Sequence, residues 1–165
     1  VVFGSVGDAA GYAMRGGALY VRGNAGYRAG VHMKEYGDKH PLIVIGGGAG
    51  SFLGEYLAGG TILVLNLDQQ QMPLGAFTGT GMHGGRIFVR SAETTAETLC
   101  NTLSETLPEQ VTASCASKDE IASVSEAIRI FCQLFSAPYH DIINSGFVLL
   151  TPNARNPYKK LYVFN

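Results

Sequence analysis

The stretch Leu42–Gly50, LIVIGGGAG, comes closest in this chain to a recognisable chemistry. A short apolar run followed by glycines is how a dinucleotide-binding fold opens. The glycines let the backbone approach a pyrophosphate at a helix N-terminus. Asp68 even stands at the distance expected of a ribose-binding acid. Three features count against that chemistry. Ser51 stands where the fingerprint requires a third glycine. The intervening helix would span only 51–58 and would contain Gly54. The same glycine octet also occurs at Gly23–Gly30, where nothing with the geometry of a crossover helix follows. Structural corners are the preferred reading of these glycines, with a nucleotide-binding enzyme as the alternative.

The other reactive residue types are scattered. His32, His40, His83 and His140 have no i, i+4 partner and no nearby cysteine, so they read as surface or hydrogen-bonded side chains rather than metal ligands. Cys100, Cys115 and Cys132 are widely spaced, with no C-x-x-C, and read as buried, inert thiols of a reducing compartment. Glu35, Asp38 and Glu55 could supply carboxylates, but nothing in their spacing makes two of them converge. No G-x-S-x-G nucleophile motif is present. Lys34-Glu35-Tyr36, Arg22 and Arg28 suit a polar outer face as well as a contact to a partner. No catalytic, cofactor-binding or metal-ligating residue is therefore assigned, and no cofactor is expected.

The elements behind these residues repeat. Gly23, Ala25, Gly26 and Gly30 fall in register on Gly47, Ala49, Gly50 and Gly54. Each octet follows a short apolar run, Ala18–Val21 before the first and Leu42–Ile45 before the second. A second motif interleaves. Met14–Val21 (MRGGALYV) matches Leu57–Val64 (LAGGTILV) and Met82–Val89 (MHGGRIFV). The runs are too short for helices, and paired glycines at fixed offsets mark tight corners. Strands and corners recurring about every 20–25 residues suit a coil whose stacked turns share one core. The spacing predicts a parallel β-helix. It also predicts positive φ at Gly26 and Gly50. Gly30–Pro41 is the longest insertion between turns, and its polar run His32–His40 is a natural contact loop. Asp68–Pro73 is a second polar loop.

Composition narrows the classes further. The chain has 165 residues, 22 of them glycine, and is 46% hydrophobic and 15% charged, which is globular rather than disordered. A net charge of -1 gives no electrostatic case for nucleic acid or an anionic membrane. No apolar run approaches the roughly 18–20 residues needed to span a bilayer, and no signal peptide is visible, so a cytoplasmic location is expected. The chain starts at Val1, inside a repeat and without Met, and reads as a fragment or as a chain whose start lies upstream.

The composition changes at Ser91, after which glycine nearly vanishes until Gly146. Leu99, Leu103 and Leu107 recur at helical spacing up to Pro108. Ser117–Glu120 forms a capping-box pattern. Behind it, Ile121, Val124, Ile128, Phe131, Cys132 and Phe135 make one stripe of an amphipathic helix ending near Pro138. Phe147–Leu150 and Leu161–Phe164 read as strands. Two parts are expected: repeats over 1–90 and an α+β cap over 91–165, packed on the end of the coil.

These glycine repeats resemble a known family. Val21–Gly26, Gly54–Gly60, Gly79–Gly85 and the loop Val31–Tyr36 are similar to the C-terminal GXGXG domain of the glutamate synthase large subunit. The loop, with the tail Pro152–Val163, most resembles the stand-alone, archaeal-type form. The scaffold polypeptide of formylmethanofuran dehydrogenase has similar repeats and is the nearest competitor. The resemblance implies an all-β fold, a right-handed parallel β-helix (a single-stranded solenoid) with the C-terminal α+β appendage. It also implies a non-catalytic role in glutamate biosynthesis. Such a domain braces the glutaminase and the FMN-binding synthase domain or subunit, between which ammonia passes to 2-oxoglutarate. The electron donor is left open, and a homo-oligomer is compatible with the sequence. One departure stands out. Asn66-Leu67-Asp68 replaces the glycine expected after the strand 61–65, leaving that corner unexplained.

Overall fold

The computed structural model describes residues 1–153, so the strand expected at Leu161–Phe164 and most of the tail Pro152–Val163 lie outside the described residues. Four parallel strands come first: β1 (Ala18–Val21), β2 (Leu42–Ile45), β3 (Ala58–Val64) and β4 (Gly84–Arg90). They are followed by α1 (Ala96–Thr106), β5 (Val111–Cys115), α2 (Lys118–Phe135), α3 (Tyr139–Ile143) and β6 (Phe147–Pro152). The sheet order is β1-β2-β3-β4-β6-β5. β6 runs antiparallel to β4 and to β5.

This corrects the expected fold. Over the described residues the chain is mixed α/β, with one six-stranded mixed sheet and three helices, and not an all-β parallel β-helix. The physical reason lies in how each repeat spends its residues. Each contributes one regular strand, in the registers Tyr20↔Val44, Val44↔Leu63 and Leu63↔Phe88. The rest of the repeat is turns joined by single bridges, Val6↔Ala25, Ala25↔Ala49 and Ala49↔Leu74. The strands therefore collect in one sheet, and β6 and β5 extend it past the last repeat.

Both faces of the sheet are buried. Successive residues of a strand point to opposite sides. Ile43, Ile45, Ile62, Val64, Ile87 and Val89 face inward against the turns and against Leu99 and Leu103 of α1. Tyr20, Val44, Leu63 and Phe88 face outward and are covered by Val124, Ile128, Phe131 and Phe135 of α2. The stripe read from sequence is thus the face α2 buries. Ser117 caps that helix, accepting from the Glu120 amide while the Glu120 carboxylate accepts from the Ser117 amide at 2.7 Å. Gly46 lets the helix come close. A Cβ there would lie 2.8 Å from the Phe131 ring. No helix among the described residues is long and apolar enough to cross a membrane.

Candidate functional site

The glycine loop at Gly46–Gly50 has its backbone donors already occupied. Gly46 N–H donates to Val21 O at 2.8 Å, Gly47 N–H to Gly23 O at 3.0 Å and Gly50 N–H to Ala25 O at 3.0 Å. Gly48 N–H donates to the Asn24 side chain at 2.6 Å. Ala49 N–H donates to Pro73 O at 2.8 Å. A phosphate cradle needs these amides free and a helix opening behind them, and here turns follow the loop. A shallow hollow of about 310 Å³ lies over it, lined by Asn24, Gly48, Gly50, Gln70, Pro73 and Gly75.

Positive φ falls elsewhere than expected. It is absent at Gly26 and Gly50 and present at Gly11, Gly30, Gly54 and Gly79. Gly26 and Gly50 serve close approach. A Cβ at Gly50 would lie 2.9 Å from the Gly26 carbonyl carbon, and one at Gly26 would lie 2.9 Å from that of Gly7.

The left-handed positions alternate along each corner, on both sides of its glycine. One set is Ala9, Arg28, Phe52 and Phe77, and another is Ala13, His32 and Tyr56, with Gly81 in the same place in the last turn. A bulky residue at positive φ is strained unless its surroundings fix it. Here turn-to-turn hydrogen bonds fix it, as from Arg28 N–H to Ser51 O and from His32 N–H to Glu55 O, both 2.9 Å.

Their side chains form an outward ladder. His32 stacks on Tyr56 with ring centroids 4.9 Å apart, and Tyr12 meets His32 edge-on at 6.3 Å. Phe52 stacks on Phe77 at 5.1 Å. The Arg28 guanidinium sits 4.7 Å over Phe52 and bonds Glu55 at 3.0 Å. Tyr12, Tyr27 and Phe77 remain more than half exposed. Sequence reading missed this surface, because only the glycine columns repeat visibly. Its signal was faint: an aromatic or cationic residue recurring two places either side of the octet's last glycine.

A family model of the GXGXG motif matches residues 4–152. The chain belongs to the GXGXG motif family. It is also 39% identical over 146 residues to an uncharacterized protein of Methanocaldococcus jannaschii, a match covering 84% of this chain and 52% of the relative. The chain thus spans about half the length of the curated relative it matches.

In this GXGXG chain the remaining candidates are dispersed. Glu35 bonds His40 Nδ1 at 3.0 Å and accepts from the Gly60 amide at 3.0 Å. Those hydrogen bonds, His40 first, hold its carboxyl below the usual range against opposing desolvation. The insertion loop is therefore partly structural. It is pinned by Glu35 and folded back by a tight turn in which the Tyr36 and Lys39 amides and carbonyls pair. Lys34 and Asp38 are exposed. His83 Nδ1 lies 3.0 Å from Gly81 O, and His140 packs edge-on against Tyr139. Among the described residues no group of three or more His, Cys, Asp or Glu side chains could hold a metal ion. Asp68 is exposed on its loop.

Asn66 resolves the departure noted beside it. It takes φ 47 and is fully buried, and its side chain closes the loop at 2.9 Å both to Gln70 O and from Gln70 N–H. Asparagine tolerates the left-handed region and bonds locally. The cysteines differ from the expectation of three buried thiols: Cys132 is buried, Cys100 partly buried and Cys115 exposed.

Proposed function

We propose that this chain is a non-catalytic, contact-making part of a glutamate synthase-type assembly. It braces a glutaminase and an FMN-binding synthase domain or subunit and has no reactive centre of its own. The observation that carries this reading is the division of labour within the GXGXG repeat. The glycine amides are consumed by turn-on-turn packing. The same corners hold an ordered ladder of aromatic and charged side chains outward on a rigid frame. Exposed aromatics and arginine are the residue types that anchor protein interfaces.

The test is purification of the tagged chain from its source cell. The expected result is co-recovery of a glutaminase and a flavoprotein, with glutamine-dependent glutamate formation in the recovered complex. Recovery with formylmethanofuran dehydrogenase polypeptides would replace this assignment, and recovery with neither would remove it. Tyr12→Ala combined with Phe77→Ala should leave melting nearly unchanged, within roughly 0.5 kcal/mol as for most surface changes. The same pair should weaken co-recovery.

A further inference from the structure

α1 packs against β5, the helix carrying Cys100 and the strand Cys115. Along β5, Val111, Ala113 and Cys115 stand opposite Pro152, Leu150 and Val148 of β6. Alternate residues of a strand share a face. Val111, Ala113, Val148 and Leu150 all belong to the core beneath α1, so Cys115 lies on that face at the strand's end. The helix contributes Leu99 and Leu103 to the same core, with Cys100 packed at its margin. Burial pushes the Cys100 thiol up, and neighbouring Cys115 pushes it further, while the Ser104 side chain opposes. Cys132 belongs to α2 and lies in the other core, on the far face of the sheet. Thiol–disulfide exchange needs an accessible thiol to attack first and a second thiol near it to resolve the mixed disulfide.

We propose that Cys100 and Cys115 form a reversible dithiol site that reacts with low-molecular-weight disulfides such as oxidised glutathione. The exposed Cys115 thiolate attacks one sulfur of the disulfide, and one glutathione thiolate leaves. Cys100, deprotonated to solvent, attacks the Cys115 sulfur of the mixed disulfide, and the second glutathione thiolate leaves. Two cysteine thiols are oxidised to one disulfide, and one glutathione disulfide is reduced to two glutathione thiols, which take up the two protons. The crosslink ties α1 to the edge strand of the sheet.

The test is incubation of the native chain with oxidised glutathione, followed by alkylation and peptide mapping by mass spectrometry. The expected product has lost two hydrogens. It carries one Cys100–Cys115 crosslink, leaves Cys132 intact and reverts with dithiothreitol. Cys100→Ser should trap glutathione on Cys115, and Cys115→Ser should lose the crosslink. Wild-type chain that keeps glutathione on Cys115 without a crosslink would overturn the proposal, as would wild-type chain with both thiols still free to alkylate. Because wild-type chain alone decides the crosslink, misfolding of either variant leaves the test intact. A crosslink to Cys132 instead would refute the pairing.

Discussion

Gly7, Gly26, Gly50 and Gly75 occupy equivalent places in successive turns, yet they are not equivalent sites. A Cβ at Gly7 would meet nothing within 4 Å. At Gly75 it would meet Gly50 and Ser51 backbone, the Gly50 carbonyl carbon at 2.6 Å. Backbone cannot step aside as a side chain can, so Gly26→Ala, Gly50→Ala and Gly75→Ala should each destabilise by roughly 1–3 kcal/mol. Gly7→Ala should be neutral or slightly stabilising, because it narrows the unfolded ensemble. Thermal melts of the four variants decide the point, and four equal shifts would remove the close-approach explanation. Asn66 poses a different problem, one of both φ and hydrogen bonding. Asn66→Ala loses both bonds to Gln70 and keeps the left-handed strain, for a cost of roughly 1–3 kcal/mol. Asn66→Gly removes the strain alone and should melt above Asn66→Ala; the reverse order would show that φ is not what selects Asn there. Glu35 adds a pH dependence. Its folded pKa is lowered, first by the hydrogen bond with His40. It therefore contributes stability that is present above its unfolded pKa and lost as pH falls through the folded value. Glu35→Gln should flatten the acid limb of a stability-versus-pH curve. The change should be small, because the carboxylate is about half exposed and screened by solvent. An unaltered acid limb would mean that Glu35 contributes nothing through its charge.

At the element scale, the legible parts were those whose own sequence decides their structure. The α2 stripe and its capping box were readable because both rest on spacings within one segment, and α1 followed from Leu99 and Leu103. Ser117→Ala should test the cap directly. It removes the acceptor for the Glu120 amide and should cost about 1 kcal/mol, seen as a lower melting temperature with helix content intact below it. An unshifted melt would leave the box as geometry without energetic weight. The strand β5 was not legible. Its sequence VTASC is half polar, and it becomes a strand only through pairing with β6, far along the chain. The five-residue α3 is too short for a periodic signal. The repeats were visible where glycine survives in both copies. The turns at 4–11 and 72–79 keep fewer of the octet's matching residues and stand out less. The left-handed corners at Arg28, His32, Phe52 and Tyr56 were hidden for a different reason. Nothing in those residue types asks for positive φ, which is imposed by hydrogen bonds to the turns above and below. The outward ladder could not be foreseen without them.

Across the whole molecule, the repeats and the segment after Ser91 share hydrophobic surface on both sides of one sheet. Val44, Leu63 and Phe88 are fully buried only because α2 lies over them. The edge of β4 is closed only by β6, in the register Phe88↔Leu149 and Val89↔Val148. A fragment ending at Arg90 would expose that outer face and leave β4 as an unpaired, apolar edge, which is a template for association with other chains. We therefore expect the described part of the chain to unfold in one cooperative transition, with circular dichroism and tyrosine fluorescence coinciding. The fragment of residues 1–90 should populate aggregates rather than a stable monomer. Phe131→Ala in the intact chain isolates the interface from the truncation. It removes a fully buried ring that packs on Gly46 and Phe135 and should cost about 3–5 kcal/mol, enough to consume much of the stability of a domain this size. A well-folded monomeric fragment, together with a mild effect of Phe131→Ala, would mean that the repeats carry their own stability and that α2 only lies against them. Failure of the fragment alongside a severe effect of Phe131→Ala would establish that the outward ladder is held on a frame stiffened from behind by α2. Side chains presented outward keep their geometry only where the elements beneath them are rigid.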